Sequence, residues 1–255
     1  MDGWARRDLA DEATGELRTE APDLFAPIDE DAPISGHRPP PESTGPASAE
    51  APEHAWAAAK GRVFPLLRPH DTPGIAADEA RSISFADSLA NTQPVTNRGP
   101  VGLTIVYGLA AQGFAVLVNA EHLLSWGVDG DELHDVAMAN LAGWSASAEW
   151  TEERTDDRRI LSSSTGDGYD AARVLLPEAR DRIAELTKDA LAGARILVGV
   201  PERDLLVAGL LAPGDDEFVT LFGEFLAEQS AAAVQPIEER ILELRGSELV
   251  EFAGL

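Results

Sequence analysis

The side chains with chemistry to offer lie in three places. Arg203 and Asp204 close the quartet Pro201-Glu202-Arg203-Asp204, between two apolar runs. A guanidinium at a hairpin tip can anchor an anion or a partner's carboxylate. The alternative is a plain turn, in which Asp204 accepts from backbone N–H groups and Arg203 pairs with a neighbouring carboxylate. Gly166-Asp167-Gly168 precedes a helix start. Exposed N–H groups there could hold a phosphate or carboxylate. Asp167 and Asp170 would repel such a ligand, and the loop has neither the G-x-x-x-x-G-K-[ST] spacing of a phosphate cradle nor the carboxylate spacing of a calcium loop. Asn140 falls seven residues after Leu133 on a helical stripe, so it points inward. A buried amide must find partners, and pinning a neighbouring strand or loop supplies them. Arg203, Asp204, Asp167, Gly168 and Asn140 are thus the candidate ligand-binding set.

Other reactive residue types lack the spacing that catalysis needs. His122 and His134 stand in no H-x-x-x-H or H-E-x-x-H pattern, and a structural hydrogen bond to a carbonyl is the expected role for His134. Ser162-Ser163-Ser164 has no G-x-S-x-G elbow around it and reads as a solvent-facing strand. With 45 Asp and Glu in the chain, neighbours such as Asp156-Asp157 or Asp215-Asp216 say little about acid–base chemistry. Trp126, Trp144 and Trp150 cluster around one helix and read as packing. No catalytic residue, cofactor or metal is expected; there is no cysteine, which excludes disulfides and thiolate-bound metals.

Lys and Arg number 20 against 45 Asp and Glu, a formal net charge of −25. That field repels a phosphate backbone and an anionic membrane surface, so neither nucleic acid nor membrane is an expected partner. Arg154, Arg158 and Arg159 form the densest basic run, but Glu152, Glu153, Asp156 and Asp157 interleave with it, giving a mixed solvated face. No secretory signal or membrane span is legible, and a cytoplasmic location is expected.

The elements that must position these residues begin after an arm. Residues 1–55 hold eight of the 17 prolines and a charge of 4 − 13 = −9, and are expected to be disordered. Two apolar islands, Trp4 with Leu9 and Leu24-Phe25 with Ile28, offer docking motifs within it. Residues 56–255 then form one domain. Trp56 to Lys60 can make a helical turn, and Val63 to Leu67 is an apolar run that packs on the domain. Hairpins are predicted at 103–109 with 114–118, 149–154 with 159–164, 195–200 with 205–211, and 241–245 with 248–252. Between them lie helices. Glu121 to Trp126 is a short turn closed by Gly127. The next helix opens at Asp129, with Glu132 three residues on as a capping-box-like pair, and carries Leu133, Val136, Ala137, Leu141 and Trp144 on one face. Asp170 is placed to cap a third helix, Pro177 to restart it and Gly193 to stop it. Asp215 and Asp216 open the last, whose face is Phe218, Leu221, Phe222, Phe225 and Leu226, ended by Pro236. Strands in hairpin pairs argue for an α+β fold, an antiparallel sheet with helices on one face, built of ββα-type units in a single compact domain.

Four segments together resemble the YtpQ-like bacterial family, a domain of unknown function: Leu103 to Tyr107; Leu124-Ser-Trp-Gly127 with Glu132-Leu-His134, Ala137, Asn140 and Leu141; Gly166-Asp-Gly168 with Val174-Leu-Leu176; and Val198 to Leu206. The resemblance covers roughly residues 63–253. It implies a compact intracellular domain and brings no activity, cofactor or catalytic residue. Family members tend to have small hydroxyl residues after the glycine loop, where this chain has Ala171-Ala172. Since packing patterns dominate and no reactive constellation has the right spacing, the expected function is a non-enzymatic protein-interaction or adaptor domain with another protein as partner. The alternative is an enzyme or small-anion binder using Arg203 and the Gly166–Gly168 loop.

Overall fold

The computed structural model describes residues 42–43, 55–80, 92–111, 114–155 and 158–254. The arm and its two apolar islands, apart from Glu42-Ser43, and the turns placed at Gln112-Gly113 and Asp156-Asp157, lie outside the described residues. The chain runs β1 (Glu42–Ser43), α1 (Trp56–Ala59), β2 (Val63–Arg68), β3 (Ile75–Ala76), β4 (Val95–Arg98), β5 (Thr104–Ala111), β6 (Phe114–Leu117), α2 (Ala120–Trp126), α3 (Gly130–Ser145), β7 (Thr151–Thr155), β8 (Arg158–Ser163), α4 (Pro177–Ala184), β9 (Arg195–Glu202), β10 (Leu205–Leu211), α5 (Asp216–Ala232), β11 (Leu242–Arg245) and β12 (Glu248–Glu251). The α+β class and the alternation of hairpins with helices are as the sequence predicts. All four hairpins form, each antiparallel.

The expected single antiparallel sheet is two six-stranded sheets. One has the order β12-β11-β9-β10-β8-β7 and every pairing antiparallel. The other has β5 as its spine. Val106 pairs with Leu66 of β2 on one edge and with Thr96 of β4 on the other, while β6 pairs with the C-terminal half of β5. Its short outer pairings, β1 with β6 and β3 with β4, are parallel. The run Val63–Leu67 is therefore a strand. It has no hairpin partner nearby in sequence, which hid it. It also contains Pro65, which a strand tolerates where its second edge is open, and among the described strands β2 pairs with β5 alone.

Both sheets turn one face to a shared core. Val63, Tyr107 and Leu109 from one sheet meet Val198, Leu206, Ala208 and Leu242 from the other, together with Leu133 and Ile183 from helices. The alternate residues of β9 and β10, Leu197, Leu205, Val207 and Leu211, pack instead under Phe218, Phe222 and Leu226 of α5. Strands buried on both faces read as continuous apolar runs, which is why β9 and β10 stood out in the sequence. Gly199 and Gly209 lie on the α5 side. A Cβ on Gly209 would stand 2.6 Å from Phe218, and one on Gly199 would overlap Leu226, so α5 sits directly on the backbone there.

Several helix ends differ from expectation. Asp129 caps α3 through the N–H groups of Asp131 and Glu132, but the Glu132 carboxylate turns away to accept from Trp56 Nε1 at 2.8 Å. The reciprocal capping box is one helix earlier, between Asn119 and His122. Pro177 restarts the chain as α4, after a 3-10 turn at Ala171–Leu175. The helix stops at Ala184, with a 3-10 turn to Thr187, well short of Gly193, and leaves Leu191 exposed. The last helix ends at Ala232, ahead of Pro236, and only Phe218, Phe222 and Leu226 of its predicted face are buried.

Candidate functional site

The loop between β8 and α4 folds around a buried ion cluster. Gly166 and Gly168 take positive φ, at 69° and 85°, which bends the backbone back on itself. Asp170 then sits with its carboxylate inside the bend, where the carboxylate is fully buried. It accepts from Ser163 Oγ at 2.6 Å, Thr165 N at 2.9 Å, Gly166 N at 3.1 Å and Arg173 Nη1 at 2.5 Å. Asp170 was expected to cap a helix; its side chain makes no cap bond. Ser163 was expected to face solvent; it is buried as a donor to that carboxylate. Both departures have one cause. A carboxylate in the interior needs donors, and the hydroxyls and N–H groups of the preceding strand end are the nearest.

Arg173 is the cation of the cluster and is 1% exposed. Besides Asp170 it pairs with Asp167, whose carboxylate also accepts from Trp144 Nε1 at 2.7 Å and Tyr169 N at 2.9 Å. Burial pushes the Asp170 carboxyl above its ordinary range against its hydrogen bonds. Burial also pushes on Asp167, but Arg173 and the Tyr169 and Trp144 donors outweigh it and hold that carboxyl below the usual range. The sequence reading places Asp170 as a helix cap and assigns Arg173 no partner. Their i, i+3 spacing, with Ser and Thr just upstream, was the available signal.

The predicted site residues meet this cluster unevenly. Asp167 belongs to it and Gly168 shapes the loop. Arg203 reaches the loop through its backbone alone, its carbonyl accepting from Ala171 N at 3.0 Å, and Asp204 stands beside it. The carboxylate with which Arg203 pairs is its own neighbour Asp204, at 3.1 Å. Arg203 Nε and Asp204 Oδ1 are buried and have no hydrogen-bond partner among the described residues. Beside them, burial first and then the charge of Asp204 raise the Glu202 carboxyl. Asn140 lies one turn before Trp144 on α3, and its amide is spent on the carbonyls of Lys60 at 2.7 Å and Val63 at 2.8 Å. It locks the start of β2. Two surface clefts of about 520 and 530 Å³ lie elsewhere, and none of these five residues lines either.

Chemically the cluster is closed except at Arg173 Nε, which is buried without a hydrogen-bond partner among the described residues. The N–H of Gly166 that could cradle an anion donates to Asp170, and the Arg173 guanidinium is taken by two carboxylates. A second, partly buried polar chain lies at the other sheet: Asn97 donates to Tyr107 Oη at 2.9 Å, which lies 2.9 Å from His134 Nδ1. His134 thus meets a hydroxyl where a carbonyl was expected. Among the described residues no group of three or more His, Cys, Asp and Glu side chains is placed to hold a metal ion, and no helix is long and apolar enough to cross a membrane. In comparisons with known proteins, no family model, curated protein or solved structure matches the chain.

Proposed function

We propose that the domain is a protein-interaction module and that α5 presents its contact surface. One observation carries this. The apolar stripe of α5 is wider than the sheet beneath it, so Leu221 and Phe225, on successive turns, remain 46% and 38% exposed. Single exposed apolar residues are ordinary, but two at i, i+4 make the contact unit of a helix face. Glu217, Glu224 and Glu228 surround them on the exposed side. The matching partner presents an apolar knob rimmed by Lys or Arg. The Asp170–Arg173 cluster supports the same reading, because the Gly166 N–H and both terminal nitrogens of Arg173 are spent on Asp170 and Asp167.

The test is a pull-down from the native cytosol with three baits: the full chain, a deletion of residues 1–54, and Leu221→Asp/Phe225→Asp. A stoichiometric partner held by the first two and lost with the third supports the reading. Equal retention by the double variant, or no partner at all, sinks it. The second reading, a small-anion binder, rests on the unpartnered Arg203 Nε. Calorimetric titration with inorganic phosphate, on the chain and on Arg203→Met, decides it. We also propose kinship with the YtpQ-like family on the segments that resemble it.

A further inference from the structure

The outermost strand of the all-antiparallel sheet is β7, Thr151-Glu152-Glu153-Arg154-Thr155. All five residues are exposed, so the strand is open on both faces. One backbone edge pairs with β8, from Thr151 opposite Ser162 to Thr155 opposite Arg158; among the described strands nothing pairs with the other edge. Exposed edges are templates for further pairing, and charged residues on them usually prevent it. Here the order of the charges matters more than their number.

Consider β7 against its own copy. Along a strand, successive residues turn their N–H and C=O to opposite edges, and a regular antiparallel ladder sets like-directed residues opposite one another. A two-fold pairing of β7 with itself must therefore be centred on a residue, not between two. Centred on Glu152, that carboxylate faces itself at the axis and both Thr151–Glu153 positions gain nothing. Centred on Arg154, two guanidiniums meet and the strand overlap shortens likewise. Centred on Glu153, all five residues are used: Thr151 faces the second copy's Thr155, Glu152 faces its Arg154, and each pair occurs twice. Cross-strand Thr–Thr and opposite-charge pairs are both favourable, and like charges directly opposite are not. The Glu152–Arg154 face is already organised within one chain. Glu152 Oε1 accepts from Arg154 Nε at 2.9 Å and from Arg159 Nη2 at 2.8 Å, so its carboxylate has guanidinium on two sides and the Arg154 guanidinium keeps further donors.

We propose that β7 pairs antiparallel with the β7 of a second copy about a two-fold axis at Glu153, joining the two six-stranded sheets into one. The like pair at the axis, Glu153 against Glu153, keeps the association weak and gives it a sign that can be tested. A five-residue strand pair is far smaller than a standard interface, so the association is weak and shows at high protein concentration. This inference is independent of the α5 reading.

The experiment is sedimentation equilibrium of the full chain from about 10 µM to about 1 mM, with far-ultraviolet circular dichroism to check folding. Wild type is expected to self-associate to a dimer. Arg154→Glu, which touches no buried group, weakens the dimer at least about tenfold. Glu153→Gln tightens it about two- to five-fold by removing the axial repulsion. Glu152→Arg alone is monomeric, yet mixed with Arg154→Glu it forms a heterodimer, because each strand then meets the opposite charge. Leu221→Asp/Phe225→Asp leaves the dimer unchanged. A monomeric wild type over the whole range overturns the proposal. So does an Arg154→Glu dimer as tight as wild type, or a dimer lost only on changing Leu221 and Phe225. If Glu152→Arg fails to fold, Arg154→Glu and Glu153→Gln still decide the question.

Discussion

Replacing Arg173 by methionine tests whether the ion cluster holds the β8–α4 loop in place. The change keeps most of the side-chain volume and removes the cation, leaving the buried Asp170 carboxylate uncompensated. Stranding one member of a buried pair costs about 3–5 kcal/mol. At about 2–4 °C of midpoint per kcal/mol for a domain of this size, the melting temperature falls by about 6–20 °C. The donors from Ser163, Thr165 and Gly166 remain on Asp170 and place the loss toward the lower end. The sign with pH follows. Asp170 already binds its proton above the ordinary carboxylate range, and without Arg173 it does so more strongly. Protonation removes the buried charge, so the deficit of Arg173→Met against wild type shrinks as pH falls from about 7 toward about 5. Asp170→Asn/Arg173→Met, which removes the Asp170–Arg173 pair and leaves Asp167 as the remaining charge, recovers part of the loss at neutral pH. Urea denaturation of the three proteins at both pH values measures this. A loss below about 1 kcal/mol, or a deficit that does not change with pH, refutes the assignment of Arg173 as the counter-charge of Asp170.

Three further outcomes follow from the geometry. Burial first, opposed by the Asn97 hydrogen bond and aided by Asp131 and Asp135, pushes the Tyr107 hydroxyl up to about 12; Tyr107→Phe removes that phase from an ultraviolet titration and costs about 1–3 kcal/mol by orphaning Asn97 and His134. Gly199→Ala crowds Leu226 and costs about 1–3 kcal/mol in urea, while alanine at Gly143, where no atom lies within 4 Å of the new Cβ, does not destabilise. Hydrogen bonds from Arg195, opposed by burial and reinforced by Arg245, hold the Glu243 carboxyl down to about 2. A lowered carboxyl stabilises the fold above its unfolded value and loses that contribution as pH falls toward 2, so Glu243→Gln flattens the acid limb of stability between about pH 5 and pH 2.

Much of the fold was legible because four hairpins are local. Each pairs two apolar or alternating runs across a short turn, and the periodicity of α3 and α5 is long enough to name them. What escaped is non-local. The pairing of β2 with β5 spans more than thirty-five residues, and nothing in Val63–Leu67 announces its partner. The division into two sheets depends on which hairpin edges meet, and turn chemistry does not carry that. At the site, Asn140 was read correctly as an inward amide that pins a strand, because its place on the α3 stripe fixes its direction. Asp170 was misread because a carboxylate before a helix has two uses, cap or ion pair, and only the location of Arg173 in three dimensions chooses between them. Leu221 and Phe225 share the predicted apolar face of α5 yet stay exposed, because periodicity gives the width of a stripe and not the width of the surface beneath it.

The Asn140 clamp on β2 also sets an order of events at the ribosome. Val63 accepts from an amide 77 residues further along the chain. At about 5–20 residues per second, β2 waits about 4–15 s for that clamp. Until β5 emerges to pair with it, the Val63, Phe64, Leu66 and Leu67 segment is an unprotected apolar stretch, and until α3 emerges the paired strand lacks its clamp. Slowed elongation between codons 68 and 140 lengthens the wait, and a holdase that takes up short apolar stretches shields β2 until β5 emerges.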